Sequence, residues 1–190
     1  MKITFNAPVT ITIAVLAAAA TLVPGAATFL ALRPMGMTCW LNPFWYTGIM
    51  GHIFVHQDLS HLIGNMAMFL ILGTALEEKL KSGRFLILVA ILTFLTGLTV
   101  SALGLFTHTS VLGASGLVFG LIMVTGTQGA KKGEIPITII LIAALWCIKE
   151  MGGVFDRTTH ISNSTHLVGA LWGLLYGLHL RTDETRKTTA

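Results

Sequence analysis

Apolar residues gather into segments at about 9–32, 59–76, 85–106, 115–129, 135–148 and 165–180, with polar or charged residues between them. Only helices and closed barrels satisfy their backbone in lipid, and apolar runs of this length are helices. The pattern predicts an all-α membrane protein: a single six-transmembrane-helix bundle over residues 1–190, with a short polar tail at 182–190. The fourth and fifth segments are shorter than the roughly 20 residues a lipid-facing span needs. Short spans start inside the membrane beside a water-lined cavity, where non-helical backbone is tolerated. The fourth helix, from Ser115, is expected to start this way.

Polar residues interrupt this pattern at few places, and those places share a depth. His61 and Asn65 lie four residues apart on one face of the second helix, near its outer end. Ser115 opens the fourth helix, and His166 lies near the start of the sixth. Polar groups inside the bilayer are expensive, so each implies a functional partner. Gly169, Gly173 and Gly177 recur every four residues beside His166, while Gly116 and Gly120 form a matching stripe beside Ser115. Small-residue stripes let helices approach closely in lipid, and docking these two brings the serine and histidine together. Glycine stripes are also ordinary membrane packing; the shared depth, face and chemistry of the pair set it apart.

Composition supports a lipid setting. Hydrophobic residues make up 54% of the chain and charged ones 11%, with mean hydropathy +0.79; soluble domains carry about 25% charge. The net charge of +4 reads as topology. Lys2, Lys79, Lys81, Arg84, Lys131, Lys132, Arg181, Arg186 and Lys187 share one side of a six-span model, and Arg33, Lys149 and Arg157 the other. The positive-inside rule then puts both termini in the cytoplasm. No basic stripe points to nucleic acid. Cys39 and Cys147 stand apart from one another and supply neither a disulfide framework nor a metal motif.

The first segment has two readings. Lys2, an alanine-rich run and Pro24-Gly25-Ala26-Ala27 fit a secretory signal with a small-residue cleavage site. The apolar stretch runs on through Phe29 to Leu32, which favours a retained span. The connection from Arg33 to Asp58 carries Trp40, Phe44, Trp45 and Tyr46, aromatic residues that favour the membrane interface.

A serine hydroxyl needs a neighbouring base to become nucleophilic, and neutral imidazole suits that task near pH 7. No carboxylate is evident beside His166, since Asp58, Glu150 and Asp156 fall in loops, so a Ser115–His166 dyad is expected. The Ser115 N–H, Asn65 and His61 are the available oxyanion donors. His52 and His56 have helical metal-ligand spacing but no HExxH pattern or nearby carboxylate, and structural hydrogen bonding is expected of them. Glu77 is expected to satisfy a buried turn near the cytoplasmic end of the second helix.

Gly113-Ala114-Ser115-Gly116 before a helix, His61-x-x-x-Asn65 and His166-x-x-Gly169 together resemble the rhomboid intramembrane serine proteases of the bacterial six-helix type. His52-x-x-x-His56-x-x-x-x-His61 and Gly73-x-x-x-Glu77, leading into the basic turn Lys79 to Arg84, extend the likeness over the whole core. The resemblance implies Ser115 as nucleophile, His166 as general base and acid, and His61 with Asn65 at the oxyanion. Gly113, Gly116, Phe119 and Gly169 would support them. It further implies transmembrane protein substrates cut near small residues at the outer face of a bacterial inner membrane, no metal or cofactor, and lateral substrate entry past the fifth helix beneath the loop 151–163, where Gly152-Gly153 could flex.

The chain departs from that family at two places. Trp45 is followed by Tyr46 where members often carry a Trp-Arg pair, and Phe119 stands where bacterial relatives often have tyrosine. A ring at 119 can stack on His166 but has no hydroxyl to donate. Two other functions fit such a bundle. A silent rhomboid-like binder of membrane helices is disfavoured by retention of Ser115 and His166. A small transporter is disfavoured by the lack of an internal repeat. A rhombosortase-like trimming of sorting tails is a subtype of the protease reading.

Overall fold

The computed structural model describes residues 5–33, 35, 41–103, 110–128, 134, 136–137, 139–141, 144 and 163–188, with backbone alone at 163 and 181–188. Its named helices are α1 (Pro8–Leu22), α2 (Ala26–Leu30), α3 (Pro43–Gly51), α4 (Leu59–Leu80), α5 (Ser82–Ala102), α6 (Ser115–Gln128) and α7 (Asn163–Thr188), with a 3₁₀ turn, His52–Phe54, between α3 and α4. Among the described residues the one extended pairing is an isolated antiparallel bridge, Leu32 with Val111. The named elements of the described residues are all helical. Both α4 and α5 are long and apolar enough to cross a membrane, while α1 and α6 are shorter apolar helices.

The first apolar segment, expected as one span over 9–32, is two helices. Val23 is extended, as residues before proline tend to be, and Gly25 turns through φ +80. The aromatic connection contains α3, which has proline at its first position and an Asn42 side chain accepting the Phe44 N–H at 3.0 Å. That is the usual chemistry of a helix start. α4 begins on Asp58, whose Oδ1 accepts the His61 N–H at 2.8 Å, and runs four residues beyond the expected end, to Leu80. The reversal into α5 falls on Lys81, a non-glycine residue at φ 71. α7 continues through the expected tail to Thr188.

Glu77 accounts for the Gly73-x-x-x-Glu77 pattern. Its Oε1 accepts the Val9 N–H at 3.0 Å, and its Oε2 accepts the Thr10 N–H and hydroxyl, both at 2.8 Å. Those amides belong to the first turn of α1, where no intrahelical acceptor exists. A carboxylate there also meets the positive end of the helix dipole. One turn earlier on the same face, a Cβ on Gly73 would lie 2.9 Å from the Thr10 side chain. Glycine admits α1, and glutamate caps it.

The core is built around Phe69, Phe85, Leu88, Leu92, Leu117 and Leu121, all at most 1% exposed. α6 lies within it, packed against α4, α5 and most extensively α7. A Cβ on Gly169 would collide with the Gly116 backbone, and one on Gly173 with the Gly120 backbone. The opposite side of α7 exposes Leu167, Leu171, Leu175 and Leu178. Small residues inward and leucines outward reverse the pattern of a water-soluble helix and suit lipid.

Of the fifth segment expected at 135–148, Ile137, residues 139–141 and Ala144 are helical. Ile139 is buried, and a Cβ on Gly126 of α6 would collide with its side chain. The rest of that segment lies outside the described residues, as do Cys39, Cys147 and the loop 151–162 expected to admit substrate.

Candidate active site

Ser115 is the first residue of α6, and the chain reaches it through an irregular stretch held on three sides. The Leu32–Val111 bridge anchors its start, with N···O distances of 3.1 and 2.8 Å. Gly113 N–H then donates to His52 O at 2.9 Å, and Ala114 N–H donates to His56 Nε2 at 3.2 Å. Gly113 has φ +111, a left-handed conformation that disfavours a side chain. Space requires glycine as well, because a Cβ would lie 2.8 Å from His61 Cε1, 2.9 Å from His61 Nε2 and 3.2 Å from Asn65 Nδ2.

The glycine seam carries His166 to Ser115. His166 Nε2 lies 2.7 Å from Ser115 Oγ across 51 residues of chain, which is hydrogen-bond range for a nucleophile and base. His166 is 5% exposed, and Phe119, one turn beyond Ser115, lies against it with ring centroids 4.9 Å apart and planes tilted by 42°. Thr165 packs onto Gly116, where a Cβ would meet its Cγ2 at 2.9 Å.

His61 and Asn65 approach the same loop from α4, their side-chain nitrogens converging beside Gly113. Asn65 Nδ2 is buried and finds no acceptor among the described residues. A buried donor without an acceptor is unusual in a folded protein, and this one lies next to the residue pair Gly113–Ala114 that leads into Ser115. The first N–H groups of α6, beginning with Ser115, have no intrahelical acceptor. The structure thus brings Ser115, His166, His61, Asn65, Gly113, Gly116, Phe119 and Gly169 to one place.

Two histidines not assigned to the site hold it from behind. His52 Nδ1 lies 3.1 Å from both Gly48 O and Ile49 O, and its ring is 1% exposed. Burial lowers its pKa from 6.5 to about 4. His56 is lowered likewise to about 4, by burial first and then by neighbouring His61, whose ring centroid is 5.2 Å away. Thr21 of α1 completes the group, with Oγ1 3.3 Å from His56 Nδ1 and 3.4 Å from Phe54 O. Nothing in the local sequence around Thr21 marks it; only the fold brings it to His56. Trp45 is also tied inward, donating from Nε1 to Ser101 Oγ at 2.7 Å, and Ser101 donates in turn to Arg33 O at 2.7 Å.

A helical membrane protein with a serine hydroxyl bonded to an imidazole beneath its surface is the class that fold and site define. A family model, the Rhomboid domain, matches residues 43–182, and the chain belongs to the rhomboid family. It is 30% identical over 129 residues to the Rhomboid protease GlpG of Serratia proteamaculans, covering 65% of this chain and 44% of that protein. It is 29% identical over 143 residues to the Rhomboid protease GlpG of Yersinia enterocolitica, covering 73% and 49%. The chain spans about half the length of the curated relatives it matches.

Proposed function

We propose that this protein is an intramembrane serine endopeptidase that cleaves transmembrane or juxtamembrane segments of membrane proteins through a Ser115–His166 dyad. The observation that carries the reading is the 2.7 Å contact between Ser115 Oγ and His166 Nε2, formed inside an apolar bundle where neither group has a packing reason to be. His166 Nε2 takes the Ser115 proton as Oγ attacks the scissile carbonyl carbon. His61, Asn65 and the Ser115 N–H donate to the resulting oxyanion; the buried Asn65 Nδ2, which finds no acceptor among the described residues, supports that role. The carbon–nitrogen bond then breaks as His166 returns the proton to the leaving amine, and water, deprotonated by the same imidazole, hydrolyses the acyl-serine.

On this reading the chain spans the inner membrane six times with both termini cytoplasmic, and α6 starts within the bilayer. Membrane-protein substrates and lipid are its partners. The test is cleavage of a model transmembrane substrate by the reconstituted protein, compared with Ser115→Ala and His166→Ala. The intact protein cuts and both variants do not. Continued cleavage by Ser115→Ala rejects the dyad, and failure of every form to cut or to react with a fluorophosphonate favours a silent helix-binding role.

A further inference from the structure

We infer that His56 is a positioning residue for Ser115, acting as a neutral imidazole whose Nε2 accepts the Ala114 N–H and so fixes the residue immediately before the nucleophile. The inference rests on the reading of Ser115 as nucleophile but is carried by a different set of contacts.

A backbone N–H can only donate, so the 3.2 Å contact from Ala114 requires an unprotonated Nε2 and leaves the ring proton on Nδ1. Nδ1 faces Thr21 Oγ1 at 3.3 Å, and that hydroxyl is free to donate onward to Phe54 O at 3.4 Å. Every donor in the chain from Ala114 through His56 and Thr21 to Phe54 thereby meets an acceptor. One proton arrangement satisfies them all. The ring is held from α1, from the α3–α4 connection and from the stretch preceding α6, and is 6% exposed. With Gly113 N–H held on His52 O at 2.9 Å, two consecutive amides ahead of Ser115 are anchored on one short segment, His52 to His56.

Protonation of His56 would set an N–H against the Ala114 N–H and abolish the anchor. The titratable group facing it is His61 of α4. From α1 it meets the Thr21 hydroxyl, and from the Ser115 stretch a backbone amide. Among the described residues no carboxylate is shown against it; Asp58 caps α4 through the His61 N–H.

The experiment uses the full chain in detergent, with His56→Gln, His56→Asn and His56→Leu. Glutamine sets an acceptor oxygen where Nε2 stands, asparagine reaches only the Nδ1 position, and leucine fills volume alone. Fluorophosphonate labelling of Ser115 is expected to stay near the wild-type rate in the Gln form and to fall by about 10²-fold in the Asn and Leu forms. In a Ser115→Ala background, exchange of the Ala114 amide, narrowed by ¹³C-Gly/¹⁵N-Ala labelling to the four Gly-Ala pairs of the chain and assigned by loss of its signal in Ala114→Gly, is expected to be slow with His or Gln at 56 and fast with Asn or Leu. Equal labelling of all forms, or equal Ala114 exchange, overturns the inference. Graded Ala114 exchange with no labelling of any form, wild type included, upholds the anchor and instead rejects Ser115 as nucleophile.

Discussion

Glu77 of α4 caps the first turn of α1, taking the Thr10 N–H and hydroxyl on a single carboxylate oxygen at 2.8 Å each while its other oxygen takes the Val9 N–H. Glu77 is 2% exposed, so its removal leaves the buried Thr10 N–H and hydroxyl and the part-buried Val9 N–H without their acceptor. Glu77→Ala is expected to destabilise the fold by about 2–4 kcal/mol, the scale of breaking charge-assisted bonds to buried donors. Thr10→Val removes one of those bonds, and the double variant should lose less than the sum of the two. Denaturant unfolding in detergent micelles measures all three; a full sum would show that the two residues act separately.

The seam between α6 and α7 sets the distance from nucleophile to base. A methyl group on Gly169 meets the Gly116 backbone, with no flexible side chain to give way. Gly169→Ala is therefore expected to push the helices apart and lower cleavage by about 10²-fold or more, with a loss of thermal stability. Gly64→Ala serves as control, because a Cβ there meets nothing within 4 Å; it should leave activity unchanged and, at an exposed position inside α4, raise stability by up to about 1 kcal/mol.

Asn65 separates activity from stability. Its buried Nδ2 has no acceptor among the described residues, so replacement removes an unsatisfied donor. Asn65→Leu is expected to cut kcat by about 10²- to 10³-fold, as for loss of an oxyanion donor, while unfolding stays unchanged or shifts upward. A variant that loses activity and stability in parallel would assign Asn65 a structural bond in place of a catalytic one.

His52 and His56 predict an acid-side loss of stability. Each has its pKa lowered from 6.5 to about 4, burial being the first cause. The unfolded chain binds their protons near pH 6.5 and the folded chain near pH 4, so protons favour unfolding between those values. Their contribution is complete above about pH 6.5 and falls as pH drops towards 4. Unfolding temperature followed from pH 8 to pH 4 should show this decline, and His56→Gln should make it shallower. An unchanged profile in that variant would mean that His56 does not titrate in this range.

Ser115, His166, His61 and Asn65 stand out in the sequence because each is a polar residue in an apolar helix, and the Gly116 and Gly169 stripes tell which faces meet. Periodicity is a local property, and this contact happens to be written in it. Thr21 and Ala114 are different: no spacing along the chain links them, and only the fold puts His56 between them. Pro24-Gly25 is a helix-breaking signal, yet unbroken hydrophobicity on both sides favoured one long span over the two helices formed. Asn42-Pro43 is likewise a helix start set within an aromatic loop. Lys81 adopts φ 71 without the glycine or asparagine that usually announces such a turn. It is set by the tight reversal between α4 and α5.

The α6–α7 seam joins main chain to main chain, with Gly116 against Gly169 and Gly120 against Gly173. Most helix contacts loosen on warming because their side chains hop between rotamers, and here there are almost none to hop. The spacing of the two helices beside Ser115 and His166 is inherited from the covalent dimensions of two backbones, so it should hold nearly constant with temperature until the helices part altogether.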